Sequence, residues 1–328
     1  MTLPLILGGM VYGPTFLDIF ERFCVASLRS PANLEALRDN GARLELYTDR
    51  ESSQRLVGIL DGLLPYELYE LPSSPTSHKD YLYETLAAVH YEGVKRAAAN
   101  DCAYHMLMPD QMYSERYFPN LFRLAAHGDV LHNGLNVDIS IEPCLYLASD
   151  GSSSVSAEEL GDLAWRHLHQ RMSAYLMNRA HVPASMPATH FHLWRARDRV
   201  MMFSPHCNPA YLTPETARRY PKPFGTLDTP IQWMVDNFVC PSIEDDMVFI
   251  SIEHADCGAL PYVGWSKFAA NCWQEIGHQT YRVQYYRKPI MEAPAAVLEG
   301  MPTAEDVLSR QRVIADGIEE WAIVGEAA

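Results

Sequence analysis

The sequence predicts an α/β protein: a Rossmann-like, mostly parallel sheet with helices on both faces, joined to mixed C-terminal strands. In the N-terminal half, short apolar runs alternate with longer segments of helical period, and glycine or a polar turn follows most of these runs. Strands separated by helices pair in parallel through right-handed crossovers. The chain has 328 residues, 48% of them hydrophobic, which is enough for one large domain or two ordinary ones.

The elements follow from these patterns in chain order. Strands are expected at 3–9, 42–49, 66–71, 102–108, around 129–140, on both sides of a turn at 197–198, and at 247–252. Helices are expected at 15–30, 33–41, 78–101, 114–127, 156–177 and from Thr303 onward. Ser156 and Glu159 have the spacing of a capping box. The polar segment 149–155 is the expected seam between 1–150 and 151–328, within one continuous domain.

Composition excludes several classes of protein. Asp and Glu outnumber Lys and Arg by 41 to 26, the net charge is −15, and no basic run occurs, so neither a nucleic acid nor an anionic membrane is an expected partner. The seven cysteines include no Cys-x-x-Cys pair, which disfavours a disulfide framework or a zinc ribbon. With no apolar segment near ~20 residues and no signal-like N-terminus, we expect a cytoplasmic protein without a membrane span.

Familiar nucleotide and hydrolase motifs are missing as well. The first strand is followed by no Gly-x-Gly-x-x-Gly, and the chain contains no Gly-Lys-Ser/Thr loop and no Gly-x-Ser-x-Gly. Dinucleotide dehydrogenases, P-loop enzymes and α/β-hydrolases are therefore disfavoured.

Two groups of residues are candidates for binding a metal ion or an anion. Asp110 follows an apolar strand, where a carboxylate can bind a divalent cation or a ligand hydroxyl, although Asp is also a common turn residue. His190 and His192 are two residues apart on a predicted strand, so their imidazoles share one face and suit a metal or a phosphate. The alternative is a pair of histidines that meets only solvent or backbone.

Three adjacent carboxylates, Glu244, Asp245 and Asp246, precede the strand at 247–252. Adjacent carboxylates repel one another unless solvent or a cation neutralises them, and one of the three could act as a general base. A solvated acidic loop is the simpler interpretation. Lys79, near the start of the helix at 78–101, could face the carboxyl edge of the sheet and help to bind phosphate, or could simply be solvated.

The layout resembles the nucleotide-sugar glycosyltransferases of the GT-A type, in a bacterial branch of that family. The resemblance rests on the following stretches, which together cover most of the chain at low specificity: MVYGPTFLDIFERFCVASLRSPANLEAL, LELYTDRE, HMLMPDQMYS with LFRLAAHGDVL, THFHLW, and TLDTPIQWMV with SIEDDMVFISIE. It implies that 1–150 is the nucleotide-binding half and that 151–328 is the acceptor and catalytic half. Donor-binding residues near the base and ribose would be Gly8, Tyr12, Thr48 and Asp49.

The resemblance also implies a metal site. The family carries an Asp-x-Asp that holds Mn²⁺ or Mg²⁺ and the diphosphate, and Asp110 stands where its first Asp would be. This sequence departs from the pattern, because Asp110-Gln111-Met112 has no second Asp. Asp110 could bind the metal together with His190 or His192, or side-chain donors could hold the diphosphate without a metal. Glu244, Asp245 or Asp246 would supply the catalytic base or bind the acceptor.

The expected function is therefore transfer of a sugar from a nucleoside diphosphate donor to an unknown acceptor. The negative charge that develops on the leaving diphosphate has to be stabilised locally in a protein this acidic. One alternative is a metal-dependent hydrolase that uses the His-x-His pair with Asp110. A second alternative is a nucleotide- or sugar-binding protein without catalysis.

Overall fold

The computed structural model describes residues 3–71, 79–132, 134–138, 151–169, 182–183, 192–195, 199–204, 208–219, 238–239, 241, 245–253, 262–263, 282–287, 303, 305–306 and 309. The chain forms two compact units, each assembled from separate stretches of sequence. The first is Met1–Gly134, Glu142–Leu160 and Cys207–Ile252; the second is Leu135–Ile141, Gly161–His206 and Glu253–Ala328. The polar segment 149–155 lies inside the first unit and is not a boundary between the two.

The bounds of the elements are as follows. The helices are α1 (Pro14–Ile19), a π-helical segment (Phe20–Val25), α2 (Ala26–Leu28), α3 (Pro31–Asp39), α4 (Arg50–Leu60), α5 (Lys79–Ala99), α6 (Tyr117–Ala125), α7 (Ala157–Arg166) and α8 (Pro214–Arg219). The strands are β1 (Leu5–Met10), β2 (Arg43–Thr48), β3 (Tyr66–Glu70), β4 (Ala103–Leu107), β5 (Gln111–Tyr113), β6 (Asp129–His132), β7 (Leu135–Asp138), β8 (Val182–Pro183), β9 (His192–Arg195), β10 (Arg199–Ser204), β11 (Asn208–Tyr211), β12 (Phe238–Val239), β13 (Phe249–Glu253), β14 (Tyr262–Val263) and β15 (Arg282–Arg287).

A parallel four-stranded sheet in the order β3-β2-β1-β4 is the centre of the first unit. The α/β class and the Rossmann-like arrangement expected from the sequence are thus confirmed. Successive residues of one strand point to opposite faces, so Leu5 and Leu7 join one apolar cluster and Ile6 joins the other. Both faces are buried, as is usual for parallel sheets. The helices between β1 and β3 cover one face, and α5 covers the other.

The long helix α5 is fastened to β2 by a buried charge. The Glu45 carboxylate, 1% exposed, accepts hydrogen bonds from Arg43 of its own strand at 3.0 Å and from Arg96 of α5 at 2.7 Å. Arg96 also lies over the Tyr69 ring, 4.3 Å from its centroid. A carboxylate this deep is tolerated because both of its oxygens are paired with guanidinium groups. The crossover from β3 to β4 is thereby fixed against the sheet.

A cluster of buried polar side chains joins the helices after β1 to the segment that begins at β5. Asn33 donates to the carbonyl oxygens of Ser27 and Ser114, at 3.0 and 2.9 Å, and accepts the N–H of Phe118 at 3.0 Å. Ser27 Oγ accepts the N–H of Tyr113 at 3.1 Å. The π-helical segment ends at Val25, two residues before Ser27. The end of β5 and the start of α6 are therefore fixed to Ser27 and Asn33.

The remaining strands of the first unit form smaller sheets. β6 pairs antiparallel with β11 and parallel with β12. The expectation that the strand near 129–140 extends the parallel sheet is therefore wrong. Beside β4, Tyr104 instead forms an antiparallel bridge with Leu212. β5 pairs antiparallel with β13. The short β5 was not expected, and the helix predicted from Ser114 begins only at Tyr117.

In the second unit, β10 pairs antiparallel with β9 and β15, and β14 pairs with β8. The predicted strands around the turn at 197–198 are confirmed by β9 and β10. Ser156 Oγ accepts the N–H of Glu159 at 3.2 Å, so the predicted N-cap before α7 is also present. Thr303 and Asp306 exchange hydrogen bonds at the expected start of the last helix. Among the residues described, no helix combines the length and the apolar character needed to cross a membrane.

Candidate functional site

The carboxyl ends of β2, β1 and β4 bring three short segments to one edge of the parallel sheet. These segments are residues 11–13, 48–49 and 108–110, and we call them the switch-point rim. The chain leaves β1 and β2 toward one face of the sheet, whereas α5 approaches β4 from the other face. Ligands of open α/β sheets bind in the crevice that this reversal creates between adjacent strands.

Asp49 holds two of these segments together. It caps α4 by accepting the N–H of Ser52 on Oδ1 at 2.7 Å, and its Oδ2 accepts the Ser52 hydroxyl at 2.9 Å. The N–H of Gly13 donates to Asp49 Oδ2 at 3.2 Å and to Ser52 Oγ at 2.9 Å. The carboxylate is thus a helix cap and a tether for the loop after β1. Its remaining lone pairs are the only acceptor capacity it can offer to a ligand.

We expect Asp49→Ala to destabilise the protein by about 1–2 kcal/mol, because it removes the N-cap of α4 and the anchor of Gly13 together. Asp49→Asn keeps an oxygen that can accept the Ser52 N–H and is expected to lose less than half as much. Urea unfolding followed by circular dichroism measures both variants. Equal losses in the two would contradict the capping role.

Tyr12 and Thr48 complete this part of the rim. Tyr12 is half-buried, and its ring lies 6.1 Å from that of Phe16, which is 39% exposed. Burial, and then the nearby Asp49 carboxylate, raise the pKa of the Tyr12 hydroxyl, so it remains a hydrogen-bond donor at neutral pH. Thr48 is buried, and its hydroxyl has no hydrogen-bond partner among the described residues. The rim therefore combines exposed aromatic surface with a buried hydroxyl that can still form a hydrogen bond.

Gly8 does not lie on the rim. β1 continues to Met10, so the expectation that the strand ends at Gly8-Gly9 is wrong by one residue. A Cβ on Gly8 would lie 2.5 Å from Cε2 of Tyr104, and a Cβ on Gly93 would lie 2.6 Å from the same atom. Gly8 makes room for a buried ring and contributes no ligand group at the sheet edge. Lys79 begins α5, as expected from its position in the sequence.

Asp110 follows β4 in a turn at the rim. The N–H of Gln111 donates to the carbonyl of Met108 at 3.2 Å, which closes the turn, and the N–H of Ile252 donates to the carbonyl of Asp110 at 2.9 Å. The Asp110 carboxylate is near enough to Cys24 and Tyr113 to help raise the pKa of each, although burial is the larger cause for both. Met112, where a second Asp was expected from the family pattern, is buried in β5.

The acidic residues Asp245 and Asp246 lie at the end of the β5–β13 pair that is opposite to Asp110. Asp245 accepts a hydrogen bond from Arg123 of α6 at 2.7 Å, and Asp246 is exposed with φ 57°. Both precede β13, whereas Asp110 contacts Ile252 near its far end. The strand from Phe249 to Ile252 alone spans about 10 Å. The structure therefore does not bring Asp245 and Asp246 together with Asp110. Glu244 lies outside the described residues.

The histidine pair is described only in part. His190 lies outside the described residues, and His192 is the first residue of β9. Among the residues that the structure describes, no group of three or more His, Cys, Asp or Glu side chains could hold a metal ion. Of the three predicted metal ligands, Asp110 is thus the one with a described side chain.

The sequence did not predict a row of buried polar contacts that runs from His105 through Tyr113 to Gln111, the residue after Asp110. His105 in the centre of β4 contacts the carbonyl oxygen of Ala210 through Nδ1 at 2.6 Å and the hydroxyl of Tyr113 through Nε2 at 3.0 Å. The Tyr113 hydroxyl donates to Gln111 Oε1 at 2.6 Å. A titratable residue inside an otherwise apolar strand was the available signal for His105. For Gln111 the sequence held no signal beyond the Pro-Asp turn before it.

The chain matches no protein-family model and no curated protein. The interpretation of the rim therefore depends on its geometry and its chemistry.

Proposed function

We propose that this protein is a glycosyltransferase that binds a nucleoside diphosphate sugar at the switch-point rim. The observation that carries the proposal is the convergence of Tyr12, Thr48, Asp49 and Asp110 at the carboxyl ends of adjacent parallel strands. A nucleoside needs a surface on which its base can stack and polar groups for its ribose. The Tyr12 and Phe16 rings offer the first, and Thr48 and Asp49 offer the second.

In this proposal the diphosphate lies at the turn after β1, and the Asp110 carboxylate accepts a hydrogen bond from a hydroxyl of the ligand. The chain is helical from residue 14 to residue 28, and no described side chain caps the start of this segment. Its first free N–H groups, those of Thr15 and Phe16, are both on exposed residues. Backbone N–H groups at a helix start bind phosphate through hydrogen bonds and the helix dipole. Such a local site is needed because the net charge of −15 repels an anion.

The residues described do not make a metal site by themselves. They supply two carboxylates at the rim: Asp49, whose oxygens already accept hydrogen bonds from Ser52 and Gly13, and Asp110. The position of a second Asp after Asp110 is taken by the buried Met112. Mn²⁺ or Mg²⁺ would need further ligands, for which His190 and His192 remain the candidates from the sequence.

A nucleotide-binding protein without catalysis is the second candidate. It is favoured by the position of Asp245 and Asp246 at the far end of β13, where Asp245 is paired with Arg123. Neither Asp245 nor Asp246 therefore lies near Asp110 to act as a general base there. Release of nucleoside diphosphate from sugar donors, measured by a coupled assay, distinguishes the two. Binding without release favours the binding protein.

The proposal is tested by thermal shift with uridine and guanosine diphosphates, with and without Mn²⁺. A ligand at 100 times its Kd stabilises a folded protein by about 2.7 kcal/mol, so the melting temperature should rise with nucleotide concentration. Asp110→Ala should weaken binding at least tenfold, which lowers that stabilisation by about 1.4 kcal/mol.

Asp61→Ala is the matched control, since it removes the same charge from an exposed turn after α4, away from the rim. It should leave the nucleotide response unchanged. If Asp110→Ala responds like the parent, Asp110 is only a turn residue. If the parent itself responds to neither nucleotide, the proposed function is wrong.

A further inference from the structure

Gln111 is a buried polar residue directly after Asp110, and it holds both backbone polar groups of Met108. Its side-chain Oε1 accepts the N–H of Met108 at 3.1 Å, and its own N–H donates to the Met108 carbonyl at 3.2 Å. The four-residue turn that carries Asp110 is thus closed twice by a single residue. Gln111 is only 3% exposed, so water does not compete readily for these bonds.

The orientation of the Gln111 amide is fixed by its neighbours. Its oxygen receives two donors, the Met108 N–H and, at 2.6 Å, the hydroxyl of Tyr113. If the amide were reversed, its NH₂ group would face the Met108 N–H, and two donors would oppose each other. The turn therefore requires an acceptor at this position.

The Tyr113 hydroxyl lies between Gln111 and His105. The Ala210 carbonyl can only accept, so Nδ1 of His105 carries a proton. Burial lowers the pKa of His105 to about 4, so the ring is neutral at pH 7 and Nε2 is an acceptor. The single Tyr113 proton faces Gln111 Oε1 at 2.6 Å and His105 Nε2 at 3.0 Å. The hydroxyl donates this proton to the nearer Gln111, so its contact with His105 Nε2 holds no proton.

We propose that Gln111 is the positioning residue of the Asp110 turn: its side-chain oxygen, held by Tyr113, sets how the Asp110 carboxylate meets a nucleoside diphosphate. Gln111 does not touch the ligand in this proposal and acts through the backbone of Met108. As a statement about affinity it rests on the proposed function. As a statement about the turn it stands on the hydrogen bonds alone.

Two variants, Gln111→Met and Tyr113→Phe, test the proposal. Gln111→Met keeps the length of the side chain and removes the acceptor, so it should weaken binding of uridine or guanosine diphosphate at least tenfold by calorimetry. It should also speed hydrogen exchange at the Met108 amide. Tyr113→Phe removes one of the two donors and should weaken binding about threefold. An affinity within twofold of the parent for Gln111→Met would overturn the proposal.

Tyr117→Phe is the matched control. The Tyr117 hydroxyl also contacts a buried imidazole, Nδ1 of His132 at 3.2 Å, and its ring lies 4.7 Å from that of Tyr113. Tyr117→Phe perturbs the same aromatic cluster but leaves the hydrogen bond from Tyr113 to Gln111 in place, so affinity should stay within twofold. Equal loss of affinity in Tyr113→Phe and Tyr117→Phe would show that Tyr113 acts only through general stability.

The outcomes separate this inference from the proposed function. If the parent binds neither nucleotide, the proposed function fails, and hydrogen exchange on the same variants still decides the role of Gln111. Faster exchange at Met108 in Gln111→Met, with unchanged exchange in Tyr117→Phe, supports positioning of the turn. Unchanged exchange at Met108 in Gln111→Met overturns it.

Discussion

Gly9→Ala is expected to destabilise the protein by about 3 kcal/mol or more. A Cβ on Gly9 would lie 2.2 Å from the carbonyl oxygen of Leu107, its partner in the β1–β4 pair. A side chain could rotate away from such a contact, but a backbone oxygen in the central sheet cannot. Relief requires that β1 and β4 separate, and this would open both apolar clusters.

The same substitution at Gly58 is the control. Gly58 is exposed in α4, and an added Cβ there has no neighbour within 4 Å. Alanine favours a helix interior by about 0.5–1 kcal/mol over glycine, so Gly58→Ala should stabilise the protein. Urea unfolding of both variants measures the contrast. A loss below about 1 kcal/mol for Gly9→Ala would mean that β1 and β4 do not approach as described.

Stability should fall steeply as the pH drops below 6.5, because three buried histidines resist protonation in the folded state. Burial lowers the pKa of His90 and His132 to about 3 and that of His105 to about 4, and in His90 and His132 the charge of His105 adds to the effect. The hydrogen bond of His105 to Ala210 and the charge of Asp245 near His132 oppose it in part. The unfolded chain binds protons near pH 6.5, so the stabilisation is complete above that pH. It is lost toward about pH 4 for His105 and toward about pH 3 for His90 and His132.

Each such histidine contributes about 1.4 kcal/mol per pH unit below its unfolded pKa, so the three together give about 4 kcal/mol per unit. Urea unfolding between pH 8 and pH 5 measures this slope before most carboxylates titrate. His90→Gln removes one titrating ring and should reduce the slope by about one third, whatever its effect at pH 8. A slope near that of a single proton in the parent would contradict the burial of all three rings.

The central sheet could be predicted because its signals are local. The apolar runs of β1, β2 and β4 are short and end in turn residues, and α5 repeats its apolar positions over 21 residues. The strand β5 was not predicted, because three residues after a Pro-Asp turn are too few to show a hydrophobic period. The pairing of β6 could not be predicted for another reason: its partner strands, β11 and β12, are far away in the sequence.

The candidate site was predictable only at the positions that strand ends define. Thr48, Asp49 and Asp110 follow from the rule that parallel strands present their carboxyl ends at one edge. Tyr12 was named only through the family resemblance. The family resemblance assigned Asp245 and Asp246 to the same active site as Asp110, and only the antiparallel register of β5 with β13 separates them. Gln111 was passed over because it occupies the unspecified middle position of the Asp-x-Asp pattern. Its role depends on Met108 and Tyr113, contacts that the sequence does not display.

The discontinuous make-up of the first unit determines when a newly made chain can complete it. His105 receives its carbonyl partner from Ala210, Tyr104 pairs with Leu212, and β5 lacks a neighbour until β13 has been synthesised. On the ribosome, the N-terminal segment must wait with these groups unpaired until more than a hundred further residues have emerged. A message truncated shortly after codon 150 should therefore yield a product prone to aggregation and to degradation by quality-control proteases.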